Sequence, residues 1–168
     1  MNKKRQAEKE FLAKVMESQG ILHKVCRIYC DNEEHRKDLF QEILINLWKS
    51  YKSFRADSKF STWMYRVALN VAIQDLRKVK KRKLLFFESF EFREHIEEPG
   101  YSELENERFR QMYQAISGLN KLDKAIVLLY LEGNSNEEIA DLVGITTNYV
   151  RVKMTRIKEK LSKKIKEK

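Results

Sequence analysis

The chain has 168 residues, a formal net charge of +9, 35% charged and 42% hydrophobic residues, and one proline beside five glycines. That length allows one domain or two small ones, and so few helix breakers among so many Lys, Glu, Leu and Ile residues predict an all-α protein. The basic balance calls for a polyanionic or acidic partner, while no apolar run approaches a membrane span and MNKKRQAEKEF leads into an amphipathic pattern, so a cytoplasmic chain without membrane insertion is expected.

Between Gly20 and Pro99 there is neither glycine nor proline, so polar clusters must mark the helix ends there. Asp31-Asn32-Glu33-Glu34 and Arg55-Ala56-Asp57-Ser58 divide the first half into a helix around Glu8 to Cys30, a helix around His35 to Phe54, and a third that Ser58 can cap. Short connections imply an antiparallel helical bundle. Cys26 and Cys30 lie one turn apart near His23 and His35, which invites a metal-site reading. Their spacing matches no zinc signature, so reduced structural thiols are the expectation and no metal or cofactor is assigned.

In the second helix, Phe40, Ile43, Leu44, Leu47 and Tyr51 form a core stripe. Its opposite side carries Asp38, Gln41, Glu42, Ile45 and Lys49. The isoleucine among polar groups is either a partner contact or an ordinary exposed apolar residue.

The third helix, within Phe54 to Lys83, buries Phe60, Met64, Val67, Ala68 and Val71 at helical spacing. A second stripe of Thr62, Arg66, Asn70, Gln74, Arg77 and Lys81 carries groups that bond phosphates and base edges, and Trp63 and Tyr65 flank it. A solvated amphipathic face and a nucleic-acid surface both fit this stretch alone. After the basic run Lys78 to Lys83 the charge reverses. Glutamates from Glu88 to Glu107, with Pro99-Gly100, read as an acidic linker whose aromatics between Phe86 and Phe92 pack locally or dock on a partner.

A second domain begins around Phe109 and is punctuated by Gly118, Gly133 and Gly144 at helix ends. Ser135-Asn136-Glu137-Glu138 is a capping box, Ile139, Ala140, Leu142 and Val143 supply an apolar face, Gly144 gives a tight turn, and Thr146 caps the next helix. That helix turns Val150, Met154, Ile157 and Leu161 inward and Asn148, Arg151, Thr155 and Arg156 outward. The pattern is a helix-turn-helix suited to the major groove. The tail Lys158 to Lys168 adds attraction for phosphate without reading sequence. No nucleophile-base pair, phosphate-binding glycine loop or ligand cluster is present, so the chain is not expected to be an enzyme.

With DLFQEILINLW, SKFSTWMYRVALNVAIQDLRKVKKR and EGNSNEEIADLVGITTNYVRVKMTRIKEKL in this order around an acidic linker, the chain resembles the sigma-70 family of bacterial RNA polymerase initiation factors, in particular the extracytoplasmic-function (ECF, group 4) type. The resemblance implies region 2 over 1–87, a linker over 88–107 and a region 4 helix-turn-helix over 108–168. It implies that Asp38, Gln41 and Glu42, with Ile45 nearby, face core RNA polymerase. Loop residues Arg55, Ala56, Asp57, Ser58 and Lys59, with Phe60, would form a pocket for a base flipped from single-stranded promoter DNA; Asn70 would read a neighbouring base and Trp63 would stand at the edge of the melted bubble, with Arg66 on the same surface. Arg77, Lys78, Lys80 and Lys81 would hold duplex phosphates. In the second domain Thr146, Thr147, Asn148, Tyr149, Arg151, Val152, Thr155 and Arg156 would meet the upstream promoter element in duplex DNA. An anti-sigma partner is a further family implication.

Trp63-Met64 stands where housekeeping members have two tryptophans, which implies weaker melting, and the proline usual near Leu122-Asp123 is missing. Asn134 and Val152 also depart from the family pattern. The competing readings are a helix-turn-helix repressor or activator that binds closed duplex, and an interaction protein or non-specific nucleic-acid module whose basic faces are only electrostatic.

Overall fold

Apolar residues at helical spacing between polar clusters fold as helices throughout the computed structural model, which describes residues 3–74 and 103–166, with side chains from 4 to 74 and from 107 to 165. The helices are α1 (Lys3–Glu17), α2 (Gln19–Tyr29), α3 (Glu33–Tyr51), α4 (Phe60–Ile73), α5 (Glu103–Ser117), α6 (Lys121–Leu131), α7 (Asn136–Val143) and α8 (Thr147–Lys166), with no strand among the described residues. The chain divides into two units, 1–96 and 97–168.

In the first unit α2, α3 and α4 pack against one another. Phe11 and Val15 of α1, Leu22 and Val25 of α2, Leu39, Phe40, Ile43, Leu44 and Leu47 of α3, and Met64 and Ala68 of α4 are all fully buried. Asn32 caps α3 by accepting a bond of 2.8 Å from the His35 backbone N–H, and Glu33 and Glu34 place negative charge at the positive end of the helix. Arg36 closes the turn before it, its Nε donating to the Cys30 carbonyl at 3.1 Å.

The expected single helix from Glu8 to Cys30 is two helices. Ser18, at φ −120° and ψ 15°, leaves the helical region, and its N–H donates to the Val15 carbonyl at 3.1 Å. Ser18 and Gly20 are both weak helix formers, so the chain re-nucleates there as α2. Ser58 does not cap α4. The helix begins one residue later, after Lys59, whose side chain carries no acceptor, and no side-chain cap forms. Tyr65, expected beside the polar stripe, is buried.

Cys26 and Cys30 are free and buried. Burial, with the neighbouring Cys30 thiol, pushes Cys26 above the usual thiol range, which makes it a small apolar core group. No group of three or more His, Cys, Asp or Glu side chains among the described residues is placed to hold a metal.

Burial, and then the Arg27 charge, hold the His23 imidazole below its ordinary pKa, beside the Phe40 ring at 5.1 Å. Below about pH 6.5 the unfolded chain binds a proton that the folded chain resists, so folding weakens as pH falls until the folded imidazole also titrates. Thermal melts from about pH 7.5 to about pH 5 are expected to fall in midpoint, and less steeply in a His23→Gln chain. Parallel profiles for the two chains would remove His23 from the explanation.

In the second unit α8 packs on α5, α6 and α7. Ile116, Ala125, Ile126, Leu129, Ile139, Val150 and Ile157 make its core. α5 begins at Glu103, so residues 103–107 of the expected linker are helical, as a run of good helix formers favours. The basic run with Arg77, Lys78, Lys80 and Lys81, the aromatics between Phe86 and Phe92, and Pro99-Gly100 lie outside the described residues.

Candidate nucleic-acid interface

Trp63, Arg66 and Asn70 recur at spacings that put them on one face of α4, where Trp63 is half-buried and Arg66 and Asn70 are exposed. Gln74 ends the helix in an extended conformation at ψ 141°. The tryptophan does not stand alone. Its ring lies 5.1 Å from Phe54 and 5.3 Å from Phe60, and Tyr51 follows at 6.5 Å. Phe11 continues the cluster, 5.2 Å from Tyr51 and 5.1 Å from Trp48. Lys14 of α1 carries its ammonium 5.6 Å above Tyr51 and 5.9 Å above Phe60. A partly exposed aromatic wall beside a cation is a surface on which a base can stack.

The loop before α4 stays exposed from Arg55 to Lys59, and within it Ala56 holds φ at +57°. An L residue with a Cβ resists that conformation by about 1 to 2 kcal/mol. Ala56→Val, at a fully surface position, is therefore expected to lower stability by about 1 to 2 kcal/mol, because a β-branched side chain worsens the clash. Ala56→Gly is expected to change it by less than about 0.5 kcal/mol, relief of strain offsetting the added freedom of the unfolded chain. Denaturant midpoints measure both, and equal stability for the valine and glycine chains would remove the strain.

On α3, Asp38 is exposed and Gln41 and Glu42 are half-exposed. Asn46 Nδ2 donates to the Glu42 carboxylate at 3.1 Å, which orients it. Ile45 does not share that surface. It is 5% exposed, because α3 packs on both α2 and α4 and its apolar arc takes in Ile43, Leu44, Ile45 and Leu47 together. The expected odd isoleucine is a core residue beneath the acidic patch.

The second unit assembles its site as the sequence pattern predicts. Ser135 and Glu138 form the reciprocal capping box: the Glu138 N–H donates to Ser135 Oγ at 3.1 Å and the Ser135 N–H donates to the Glu138 carboxylate at 2.7 Å. Gly144 ends α7 at φ +80°, which glycine alone adopts without strain. Thr146 Oγ1 accepts from the Tyr149 N–H at 3.2 Å and starts α8. Val150, Met154 and Ile157 are buried, while Thr146, Asn148, Tyr149, Arg151, Val152, Thr155 and Arg156 are exposed and Thr147 is half-exposed. Arg151 reaches back to Glu137 of α7 at 3.3 Å, and Thr155 Oγ1 donates to the Arg151 carbonyl at 3.2 Å. Among the described residues Arg156 has no ion-pair partner.

Sequence reasoning missed Lys14, Phe54 and Tyr51 around Trp63, although Tyr51 and Phe54 stand three residues apart and Lys14 three beyond Phe11. It also missed Asp123, the buried charged residue of the second unit, paired with Lys153 at 2.9 Å.

A helical bundle with an aromatic, cationic wall, in one chain with a capped helix-turn-helix whose second helix presents polar groups outward, defines a DNA-binding transcription protein. Family comparison narrows the class: Sigma-70 region 2 matches residues 15–82 and Sigma-70, region 4 matches residues 109–161. The chain belongs to the sigma-70 family of RNA polymerase sigma factors, in its ECF type. It is 33% identical over 138 residues to the ECF RNA polymerase sigma-E factor of Haemophilus influenzae, covering 76% of this chain and 73% of that protein. It is 31% identical over 153 residues to the RNA polymerase sigma-H factor of Pseudomonas aeruginosa, covering 85% and 79%. Among solved structures, CnrH in complex with the cytosolic domain of CnrY shares the fold at a TM-score of 0.65 and 18% identity, over 97% of this chain and 94% of that one. The sigma factor RpoE from Bartonella quintana, in complex with the anti-sigma factor NepR, does so at 0.64 and 21%, over 94% and 98%.

Proposed function

We propose that this chain is a dissociable initiation factor acting in the cytoplasm, a regulator and not an enzyme, which binds core RNA polymerase, directs it to particular promoters and takes part in opening the DNA. The observation that carries the reading is the pairing, in one chain, of a unit matching sigma-70 region 2 with a helix-turn-helix unit matching region 4. A repressor needs only the second.

The division of labour follows from the two surfaces. Asp38, Gln41 and Glu42 meet the polymerase, and Ile45 supports them from the core. Arg55 to Lys59, Phe60, Trp63, Arg66 and Asn70 meet the downstream element and the separated strand, where the aromatic wall offers stacking and Arg66 offers charge. Arg77, Lys78, Lys80 and Lys81 extend the phosphate contacts. The outward face of α8, from Thr146 to Arg156, reads the upstream element in duplex form. In domain terms 1–87 binds polymerase and the downstream element, 88–107 links, and 108–168 reads upstream. Of the similar solved structures, one holds CnrH with the cytosolic domain of CnrY and another holds a sigma factor with an anti-sigma factor, and a partner of the latter class is proposed here too.

Reconstituted transcription on a promoter library, using core polymerase with and without the chain, tests the reading. Sequence-selected starts that depend on the chain support it. Duplex binding with no core binding and no new starts would make the chain a repressor or activator instead.

A further inference from the structure

Asp123 sits in the first turn of α6 and is 1% exposed, the buried charged side chain among the described residues. Its own helix start fixes it: the Asp123 N–H donates to Asn120 Oδ1 at 2.9 Å, and Asn120 Nδ2 donates back to Asp123 Oδ2 at 2.8 Å. Both remaining partners come from the recognition helix. Lys153 Nζ lies 2.9 Å from Oδ1 and Lys160 Nζ lies 3.8 Å from Oδ2. The contact with the Asp123 carboxylate raises the Lys153 pKa above its ordinary value, which favours the ammonium form.

Lys153 and Lys160 are seven residues apart, hence on one line of α8, and that line borders the outward face beside Tyr149 and Arg156. Lys153 also stands 5.7 Å over the Tyr149 ring. A lysine on that border would ordinarily take a phosphate. Each such contact strengthens binding to every DNA sequence alike and releases a counterion, which adds affinity without discrimination. A carboxylate held between two such lysines neutralises part of their charge and draws their ammonium groups toward α6.

We propose that Asp123 is a specificity-determining residue of the upstream reader: it pairs with Lys153 and Lys160, holds their ammonium groups toward α6 and so holds down sequence-independent attraction to DNA. The inference rests on α8 presenting its outward face to duplex DNA. Discrimination then depends on Arg156, Asn148 and their neighbours, because the flanking cations are already engaged. An ion pair that served stability alone would leave the salt dependence of DNA binding untouched.

The test uses holoenzyme reconstituted from core polymerase and the full chain. Closed complexes are measured from about 50 to about 200 mM salt on a duplex whose upstream element was selected from the promoter library, and on the same duplex with that element scrambled. With Asp123→Asn the scrambled duplex should bind more tightly, the slope of log affinity against log salt should steepen by about 1 to 2, and the ratio of selected to scrambled affinity should fall several-fold. Lys160, expected from the sequence to attract phosphate with the rest of the tail, is instead paired with Asp123, so Lys160→Ala should leave the parent slope unchanged but remove part of the steepening in the Asp123→Asn chain. An unchanged slope and ratio in a folded Asp123→Asn chain would overturn the proposal. If that chain does not fold, Lys160→Ala in the parent decides: a slope shallower by about 1 shows Lys160 already on phosphate and overturns it, and an unchanged slope supports it. A parent holoenzyme that binds both duplexes equally would sink the reading of α8 itself, and this inference with it.

Discussion

Trp63→Ala is expected to reduce open-complex formation by roughly 5- to 150-fold while leaving closed-complex binding within about twofold, because stacking of one base on an aromatic ring is worth about 1 to 3 kcal/mol. The ring is held for that role. Phe54 at 5.1 Å and Phe60 at 5.3 Å fix its orientation, and its half-exposed position on the face with Arg66 and Asn70 leaves one side for a base. Alanine would also loosen the cluster, so Trp63→Phe is the control: it keeps an aromatic partner for Phe54 and Phe60 and should recover much of the opening. Permanganate reactivity of unpaired thymines reads the bubble directly, and filter retention of closed complexes at low temperature reads the prior step. Reactivity in the alanine chain equal to that of the parent would end the role.

The helix-turn-helix was legible in the sequence because its signals are local. A capping box spans four residues, the glycine turn is fixed by one backbone angle, and the buried line Val150, Met154, Ile157 follows directly from helical periodicity. The first unit was legible in its helices but not in its joints. Ser18 and Gly20 are unremarkable one at a time, and the break between α1 and α2 comes from both together. Ile45 looked exposed because a helical wheel knows nothing of a second neighbour; only packing against both α2 and α4 covers it. Ser58 satisfies the composition of a cap, yet the backbone places Lys59 there.

Long-range features were the least accessible. The wall around Trp63 draws on α1, α3, the following loop and α4, and Asp123 meets Lys153 thirty positions further along the chain. Neither pairing leaves a mark on spacing. The left-handed Ala56 is likewise invisible, since alanine is a residue from which no positive φ is expected. Strain of that kind tends to collect at sites of function, and here it falls in the loop proposed to receive the flipped base.

Arg156→Ala is expected to weaken holoenzyme binding to the selected upstream element by about 1 to 3 kcal/mol, roughly 5- to 150-fold, with core-polymerase affinity unchanged. Arg156 is exposed beside Tyr149 and Val152 and, among the described residues, has no ion pair to surrender on reaching a base edge. Its fork of donors suits the two acceptors of guanine in the major groove. Arg151 makes the comparison decisive. It is already engaged with Glu137 at 3.3 Å, an exposed pair worth about 0.2 to 1 kcal/mol that must be given up before Arg151 contacts DNA. Arg151→Ala should therefore weaken binding by less than Arg156→Ala, and Glu137→Gln should tighten it slightly by freeing Arg151 and removing a negative charge near phosphate. Competition between selected and scrambled duplexes separates base reading from charge: loss of a base contact lowers only the selected duplex, while loss of a phosphate contact lowers both and flattens the salt dependence. An Arg156→Ala holoenzyme that uses every library promoter as the parent does would remove Arg156 from the reading face.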